Sequence, residues 1–135
     1  MFSDEERAYP STQRLARLAT VAADGQPTVD AVGFQFDGAR FYIGGSNLPA
    51  SRKYRNIVAG NQQVALIVDD LEAIDPWTPR GIKLHGRAEI IKRDGFFGPG
   101  DYFAIMPSVS WSWGILAPAF EADRFAPHKI VWPTE

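Results

Sequence analysis

The alternation of apolar and polar residues predicts a chain composed mainly of short β-strands. Apolar runs are separated by turn residues at roughly the eight- to twelve-residue spacing that is typical of antiparallel barrels and sandwiches. Two polar stretches, 69–79 and 93–100, are predicted as loops because they combine charged residues with Gly or Pro. Pro107 indicates an edge position or a bulge in the last long strand. The predicted strands are 18–21, 28–36, 41–43, 63–68, 81–91 and 102–115, with 129–132 as a candidate seventh strand.

Two segments carry a helical pattern instead. Ser3 followed by Glu6 is the sequence of a capping box, so we expect a helix at the start of the sequence. A second helix is predicted over 50–59, between the third and fourth strands, because apolar residues recur there at helical spacing. Together these elements predict one mainly β (α+β) domain over 1–135. Its expected architecture is a six- to seven-stranded antiparallel barrel or sandwich.

The composition is that of a globular protein without a strong affinity for polyanions. The 135 residues are 45% hydrophobic and 22% charged, and the formal net charge is −2, so disorder is not expected. Proteins that bind nucleic acid usually carry an excess of Lys and Arg, whereas here acidic residues slightly outnumber basic ones. We therefore expect no nucleic-acid partner, and any phosphate site must be a local cluster of cations.

Several kinds of active site are excluded or disfavoured by residue counts. The sequence has no Cys, which excludes thiolate catalysis and Cys-ligated metals, and His85 and His128 are its only histidines. We expect no metal site and assign no catalytic side chain. The first residues lack the basic start and apolar core of a signal peptide, and the longest apolar run, 64–68, is too short to cross a membrane. A cytoplasmic protein without a membrane partner is expected.

The segment 44–56 has the clearest chemical character. A strand ends there in a loop of small residues, and the second helix begins with Ser51 near its N-cap. Three cations follow at once, although the helix dipole disfavours each of them by about 0.3–1 kcal/mol. A bound phosphate would reverse this effect, because it would meet free backbone N–H groups, the Ser51 hydroxyl and the positive charges. The alternative interpretation is a solvated basic face on a surface helix.

Collinear segments over residues 13–115 resemble one family. Each match is weak alone, but their common order gives the resemblance its weight. The sequence resembles the pyridoxamine 5′-phosphate oxidase superfamily, and within it the branch of short deazaflavin-dependent proteins. The segments that carry the resemblance are 17–21, 24–27, 32–34, 43–45, 51–56, 64–70, 75–77, 80–81, 86–89 and 112–115.

The resemblance implies a split β-barrel that forms a homodimer, with two cofactor sites at the subunit interface. Members of the superfamily use FMN or the deazaflavin coenzyme F420, and some bind bilins or haem-type ligands. Carried over by position, the residues that would bind the cofactor phosphate are Ser51, Arg52, Lys53 and Arg55. The other implied cofactor contacts are Ser46 and Asn47 beside the phosphate, Thr20 and the backbone of Ala31, Val32, Gly33 and Phe34 along the ring system, and Trp77 and Trp113 from the partner subunit.

The sequence departs from the family pattern on what the resemblance implies to be the substrate side. Relatives often have a His-Pro-Arg-Arg-like run where this chain has Met-Pro-Ser-Val at 106–109, and 109–113 is aromatic where relatives are aliphatic. The stretch 93–101 also differs. These departures indicate a changed substrate or a lost activity.

Three functions remain open at this point. The first is an F420-dependent oxidoreductase that moves a hydride between reduced F420 and an unsaturated small organic substrate. The second is an FMN-dependent oxidase or flavin reductase. The third is a non-catalytic protein that binds a flavin or a tetrapyrrole. The absence of an obvious catalytic side chain is compatible with hydride transfer, because the cofactor carries that chemistry.

Overall fold

Residues 1–133, which the computed structural model describes, form two α-helices and ten β-strands. Single 3-10 turns precede β1 and α2, at Tyr9–Thr12 and Leu48–Ala50. Within the described residues, neither helix is long and apolar enough to cross a bilayer. The elements in chain order are α1 (Asp4–Ala8), β1 (Leu15–Val21), β2 (Pro27–Gly33), β3 (Gln35–Phe36), β4 (Phe41–Ile43), α2 (Arg52–Val58), β5 (Gln63–Ala73), β6 (Thr78–Gly95), β7 (Gly98–Trp113), β8 (Phe120–Glu121), β9 (Arg124–Phe125) and β10 (His128–Val131).

Eight of these strands form one antiparallel sheet. The strand order is β2-β1-β5-β6-β7-β4-β3, and β10 also pairs with β7. The two ends of this order, β2 and β3, are consecutive in the chain and are separated only by Phe34. On the edge of β7 that faces away from β6, β4 pairs near Phe103 and β10 pairs near Ser110. The prediction of a mainly β, antiparallel split barrel with a helix between two central strands is confirmed.

Inward-facing side chains of every long strand fill the barrel. The residues of β1, β5 and β6 alternate between buried and exposed positions, as expected for strands with one face on a core. Each fully buried aliphatic or aromatic side chain contributes about 1.5–3 kcal/mol. The largest fully buried apolar side chains are Phe2, Leu18, Phe41, Ile43, Leu66, Val68, Ile82, Leu84, Phe103 and Ile105.

The N-terminal helix closes one end of the barrel, and its predicted capping box is confirmed. The Ser3 hydroxyl accepts the Glu6 N–H at 3.1 Å, and the Glu6 carboxylate accepts the Ser3 N–H at 3.0 Å. The second oxygen of this buried carboxylate accepts the Ser112 hydroxyl of β7 at 2.6 Å. Beside it, the ring of Phe2 packs edge-on against Trp132, with centroids 4.7 Å apart. These contacts hold α1 against β7 and the segment after β10.

Both segments predicted as loops are mostly strand, so those two predictions are wrong. The stretch 69–79 contains the end of β5 and the start of β6, and 93–100 contains the end of β6 and the start of β7. In the first, the Asp70 carboxylate accepts the Arg80 guanidinium at 2.8 and 3.0 Å and the Tyr9 hydroxyl at 2.7 Å. Polar residues can therefore continue these strands because they are paired across the hairpin and with the N-terminal segment.

Other boundaries differ where the backbone is irregular. The strand predicted at 28–36 is interrupted at Phe34, where β2 ends and β3 begins. Pro107 lies inside β7 opposite Gly86, and a register shift follows because His85 pairs with Val109. The bulge interpretation of Pro107 is thus confirmed. On the side of β7 away from β6, Pro107 lies between the residues paired with β4 and those paired with β10. The predicted strand at 129–132 is β10, and the small β8–β9 hairpin was not predicted.

The Asp70 cluster generates a prediction about stability and pH. The Arg80 guanidinium, and after it the Tyr9 hydroxyl, hold the pKa of Asp70 below its ordinary value. A lowered pKa stabilises the fold above the unfolded-state value of about 4, and this contribution is lost as the pH falls through the native pKa. Asp70→Asn should therefore lower the free energy of unfolding by about 1–2 kcal/mol at pH 7.

Urea unfolding of the wild type and the variant at pH 7 and pH 3 measures this effect. The difference between the two proteins should shrink at pH 3. Asp69→Asn is the matched control, since this exposed carboxylate has only a 3.5 Å contact with Arg17. An equal loss in both variants at pH 7 would contradict the assignment.

Candidate functional site

Four segments that are distant in the sequence meet on one side of the barrel. They are β2, the loop after β4, the start of α2, and the turn between β6 and β7. The Lys53 ammonium of α2 lies 4.0 Å from the Asp30 carboxylate of β2. The Phe97 ring lies over Gly33, and the loop residues Gly45 and Ser46 face the β6–β7 turn across a cleft of about 240 Å³. Most of the residues implied to bind the cofactor border this region.

Ser51 begins α2 as predicted, and its side chain is occupied by the cap. Its hydroxyl accepts the Tyr54 N–H at 3.2 Å and donates to the Leu48 carbonyl at 2.6 Å. Arg52 and Arg55 are exposed on the seven-residue helix. The cations of α2, more than the Ser51 hydroxyl, are therefore the groups available for an anion.

The side chain of Lys53 extends from α2 to the Asp30 carboxylate of β2. Its side chain is only 18% exposed, while that of Asp30 is 41% exposed. A single pair at 4.0 Å with one exposed partner contributes little to stability, because solvent screens it. An ammonium group has three N–H donors, so the remaining donors can bind an anion at the same place. The contact also explains the carboxylate of Asp30 in the middle of a strand.

Strand β2 offers main-chain groups along one edge. Within residues 1–133 it pairs only with β1, so the opposite edge of Ala31–Gly33 makes no strand pairing. Val32 points into the core, and Phe34 packs near Phe41 with ring centroids 5.7 Å apart. The segment 31–34 can therefore present its backbone, and only in part its side chains, to a ligand.

Thr20 has a different environment from the other implied residues. It is fully buried, and its hydroxyl accepts the side-chain N–H of Asn56 at 3.0 Å. This bond joins β1 to the inner face of α2. The side chain of Thr20 therefore positions the basic helix, and only its main chain borders a surface groove.

Three polar residues connect α2 to the β6–β7 hairpin. The Tyr54 hydroxyl donates to the Asp101 carboxylate at 2.8 Å, and Lys92 forms an ion pair with the same carboxylate. Lys92, and after it Tyr54, hold the pKa of Asp101 below its ordinary value. The cluster fixes α2 and the hairpin on either side of the cleft, and sequence reasoning assigned no role to any of its members.

Trp77 and Trp113 are not brought to this site within one chain. Trp77 is 60% exposed at the β5–β6 turn, at the end of the sheet away from α2. The strand from Leu66, which pairs beside β1, to Ala73 spans roughly 23 Å at about 3.3 Å per residue. Trp113 packs against Gly81 of β6 and edge-on against the Phe125 ring at 5.6 Å. Neither residue lines the cleft beside Gly45 and Ser46.

Phe97 is the aromatic residue at the cleft that sequence reasoning missed. It lies in the turn between β6 and β7 and is 46% exposed. The available signal was an adjacent pair of aromatic residues enclosed by glycines, in a stretch that differs from relatives. The cleft also lies beside Tyr102, whose ring packs against Gly44.

Comparisons with known proteins agree with this fold. A protein-family model described as "Pyridoxamine 5'-phosphate oxidase" matches residues 2–112. A 5a,11a-dehydrotetracycline/5a,11a-dehydrooxytetracycline reductase of Streptomyces rimosus subsp. rimosus is 40% identical over 96 residues, which cover 70% of this chain and 67% of the relative. The family match begins before α1 and ends one residue before the end of β7.

Two solved structures show the same fold at lower identity. One is an F420 reductase that is 24% identical, with a TM-score of 0.59 over 76% of this chain and 95% of that protein. The other is a heme binding protein from Mycobacterium smegmatis that is 13% identical, with a TM-score of 0.67 over 95% of this chain and 57% of that protein. At such identities the likeness shows the split-barrel fold alone.

The buried Thr20–Asn56 bond generates a prediction that separates positioning from cofactor contact. Thr20→Val keeps the shape of the side chain but leaves the buried Asn56 amide without this acceptor, which should cost about 1–3 kcal/mol of unfolding free energy. Thr28→Val, directly across on β2, is the matched control and should change stability by less than about 0.5 kcal/mol. Thermal unfolding measures both. Equal melting temperatures for the two variants would contradict the positioning role.

Proposed function

Because the chain belongs to the pyridoxamine 5′-phosphate oxidase family, we propose that it is an oxidoreductase that uses coenzyme F420. The reaction is hydride transfer between the reduced deazaflavin and an unsaturated small organic substrate. An oxidoreductase is supported by the 40% identical reductase. The observation that carries the proposal is the position of Lys53, whose ammonium group reaches the Asp30 carboxylate of β2.

The donor set of the site fits a phosphorylated, flat cofactor. Arg52, Lys53 and Arg55 provide the charges for a phosphate, with Lys53 held in place over β2. The edge of β2 offers backbone N–H and C=O groups, which suit the polar rim of a heterocycle. Bound F420 would supply the hydride. The protein supplies the orientation of the bound ring.

Each implied residue has a role in this proposal. Ser46 and Asn47 are exposed in the loop before α2 and border the phosphate. The backbone of 31–34 supports the ring system, with the cleft beside Gly45 at its side. Thr20 acts through Asn56, because their bond sets the position of α2.

The substrate class follows from the relative. That protein is named as a reductase of 5a,11a-dehydrotetracycline and its oxytetracycline counterpart. We propose that this chain acts on an unsaturated, conjugated ring compound of similar kind, and 5a,11a-dehydrotetracycline is the first substrate to assay.

FMN is the alternative cofactor. It also has a phosphate and a flat ring, so the cations of α2 and the edge of β2 would bind it in the same way. A non-catalytic role in binding a flavin or a tetrapyrrole is the second candidate, since the run at 106–109 departs from the family pattern.

We further propose that the active form is a homodimer. The outward-facing residues Ala19, Ala65, His85 and Val109 pair in one row across four strands and line a groove of about 400 Å³. Small side chains in this row allow a second copy to approach closely. If the strands of that copy run in the opposite direction, its Trp77 end lies over α2 of the first chain. A two-chain site would then contain the aromatic residues that one chain keeps apart.

Lys53→Ala tests the phosphate anchor. The variant should lose about 1.5–3 kcal/mol of cofactor binding, or about ten- to hundredfold in Kd, because a charge-assisted hydrogen bond is removed. Fluorescence titration with F420 and, separately, FMN measures the affinity. Lys129→Ala, on exposed β10, is the matched control. Unchanged affinity in Lys53→Ala would remove the phosphate role, and a wild type that prefers FMN would replace F420 with FMN in the proposal.

Ala65→Glu tests the dimer. A carboxylate in the middle of the proposed interface should separate the chains, because its burial without a partner is unfavourable. Light scattering should report twice the monomer mass for the wild type and the monomer mass for the variant. The variant should also bind the cofactor more weakly, since half of each site would be lost. A monomeric wild type with full cofactor affinity would overturn the two-chain site.

A further inference from the structure

The β6–β7 turn carries two aromatic rings that the barrel core does not use. Phe96 is 77% exposed and Phe97 is 46% exposed, and their ring centroids are 5.1 Å apart in an edge-to-face arrangement. The turn between two long, well-paired strands is an unfavourable place for such apolar surface, because polar residues and glycine would form it at lower cost. The pair therefore calls for an explanation other than packing of the core.

The backbone of the turn is held by one side chain from β3 and one from β7. The Gln35 side-chain carbonyl of β3 accepts the Phe96 N–H at 3.1 Å. The Tyr102 hydroxyl of β7 accepts the Phe97 N–H at 2.9 Å and donates to the Gly98 carbonyl at 2.7 Å. These bonds fix the backbone of the turn, and with it the direction of the Phe97 Cα–Cβ bond.

Tyr102 can hold the turn because glycine leaves room for its ring. A Cβ added at Gly44 would lie 2.3 Å from the ring, and one added at Gly95 would lie 3.0 Å from it. Gly44 opens the loop that the proposed function places beside the cofactor. The loop after β4 and the β6–β7 turn are therefore packed together through one ring.

Phe97 lies between the two segments that would border the cofactor ring. On one side its ring faces Gly33 of β2, where an added Cβ would lie 3.6 Å from the tip of the ring, at ordinary van der Waals distance. On the other side it lines the cleft together with Gly45 and Ser46. Phe96, in contrast, does not line this cleft.

We propose that Phe97 is a ring-contacting residue that forms one wall of the cofactor-ring site, an inference that rests on the proposed function. Its occupant is the flat heterocycle of a flavin or deazaflavin. An aromatic side chain on a turn with a fixed backbone offers a face or an edge to such a ring. The cleft of about 240 Å³ is lined by Phe97 and Tyr102 on the aromatic side and by the Lys92–Asp101 ion pair on the polar side.

The test separates ring contact from phosphate contact by comparing ligands with and without the phosphate. Wild type, Phe97→Ala and Phe96→Ala are titrated with FMN and riboflavin, and with F420 and its phosphate-free deazaflavin riboside. Phe97→Ala should weaken binding of both members of each pair by about tenfold, because both contain the ring. The ratio between the two members should stay unchanged. Lys53→Ala should instead reduce that ratio and leave the phosphate-free ligands within twofold.

Phe96→Ala is the matched control, since it removes an equally large and more exposed ring from the same turn. It should leave every affinity within twofold. Phe97→Tyr keeps an aromatic ring and should restore binding to within about twofold of the wild type. Light scattering of Phe97→Ala without cofactor should show the wild-type mass.

Four results would overturn the inference. Equal affinities of Phe97→Ala and the wild type for riboflavin would remove the ring contact while leaving the proposed function in place. An equal loss in Phe96→Ala would show a general effect on the turn. A changed mass for Phe97→Ala would place the ring in a subunit interface instead. A wild type that binds none of the four ligands would overturn both this inference and the proposed function.

Discussion

The pairing of β6 with β7 is the constraint on which the rest of the structure depends. These are the two longest strands, and their register runs from the Gly81–Trp113 pair to the Gly95–Gly98 turn. β5 pairs with the free edge of β6, while β4 and β10 pair with the other edge of β7. A change of one residue in this register would turn the buried faces of both strands outward. The turn of the same hairpin places Phe97 at the cleft. The β6–β7 register therefore determines both which side chains fill the core and where Phe97 lies.

Polar residues reinforce this arrangement at both ends of the hairpin. At one end Asp70 pairs with Arg80 and the Tyr9 hydroxyl, which joins the N-terminal segment to the sheet. At the other end Asp101 pairs with Lys92 and the Tyr54 hydroxyl, which joins α2 to the cleft. The two clusters have the same composition, a carboxylate between a cation and a tyrosine. Each cluster holds a helical segment against strands whose ends were predicted as loops because the local sequence there is polar.

The proposed cofactor site has two sources of affinity that the structure keeps physically distinct. The cations of α2 provide charge at a helix whose position depends on the buried Thr20–Asn56 bond. The edge of β2 and the ring of Phe97 provide flat contact surface. Trp77 and Trp113 do not line the cleft that Phe97 borders. Whether they reach the site from a second chain is the question that the mass of the protein in solution answers.

The sequence by itself determined the mainly β architecture, the cap of each helix and the basic character of α2. These features depend on neighbours within a few residues, such as alternation along a strand or the Ser3 and Glu6 spacing of a cap. Only the tertiary structure decided that 69–79 and 93–100 are strand, that Thr20 bonds to Asn56, and that Phe97 faces Gly33. Each of these depends on partners far away in the chain. Cross-strand pairs and closure of the barrel supply those partners, and no local pattern encodes them.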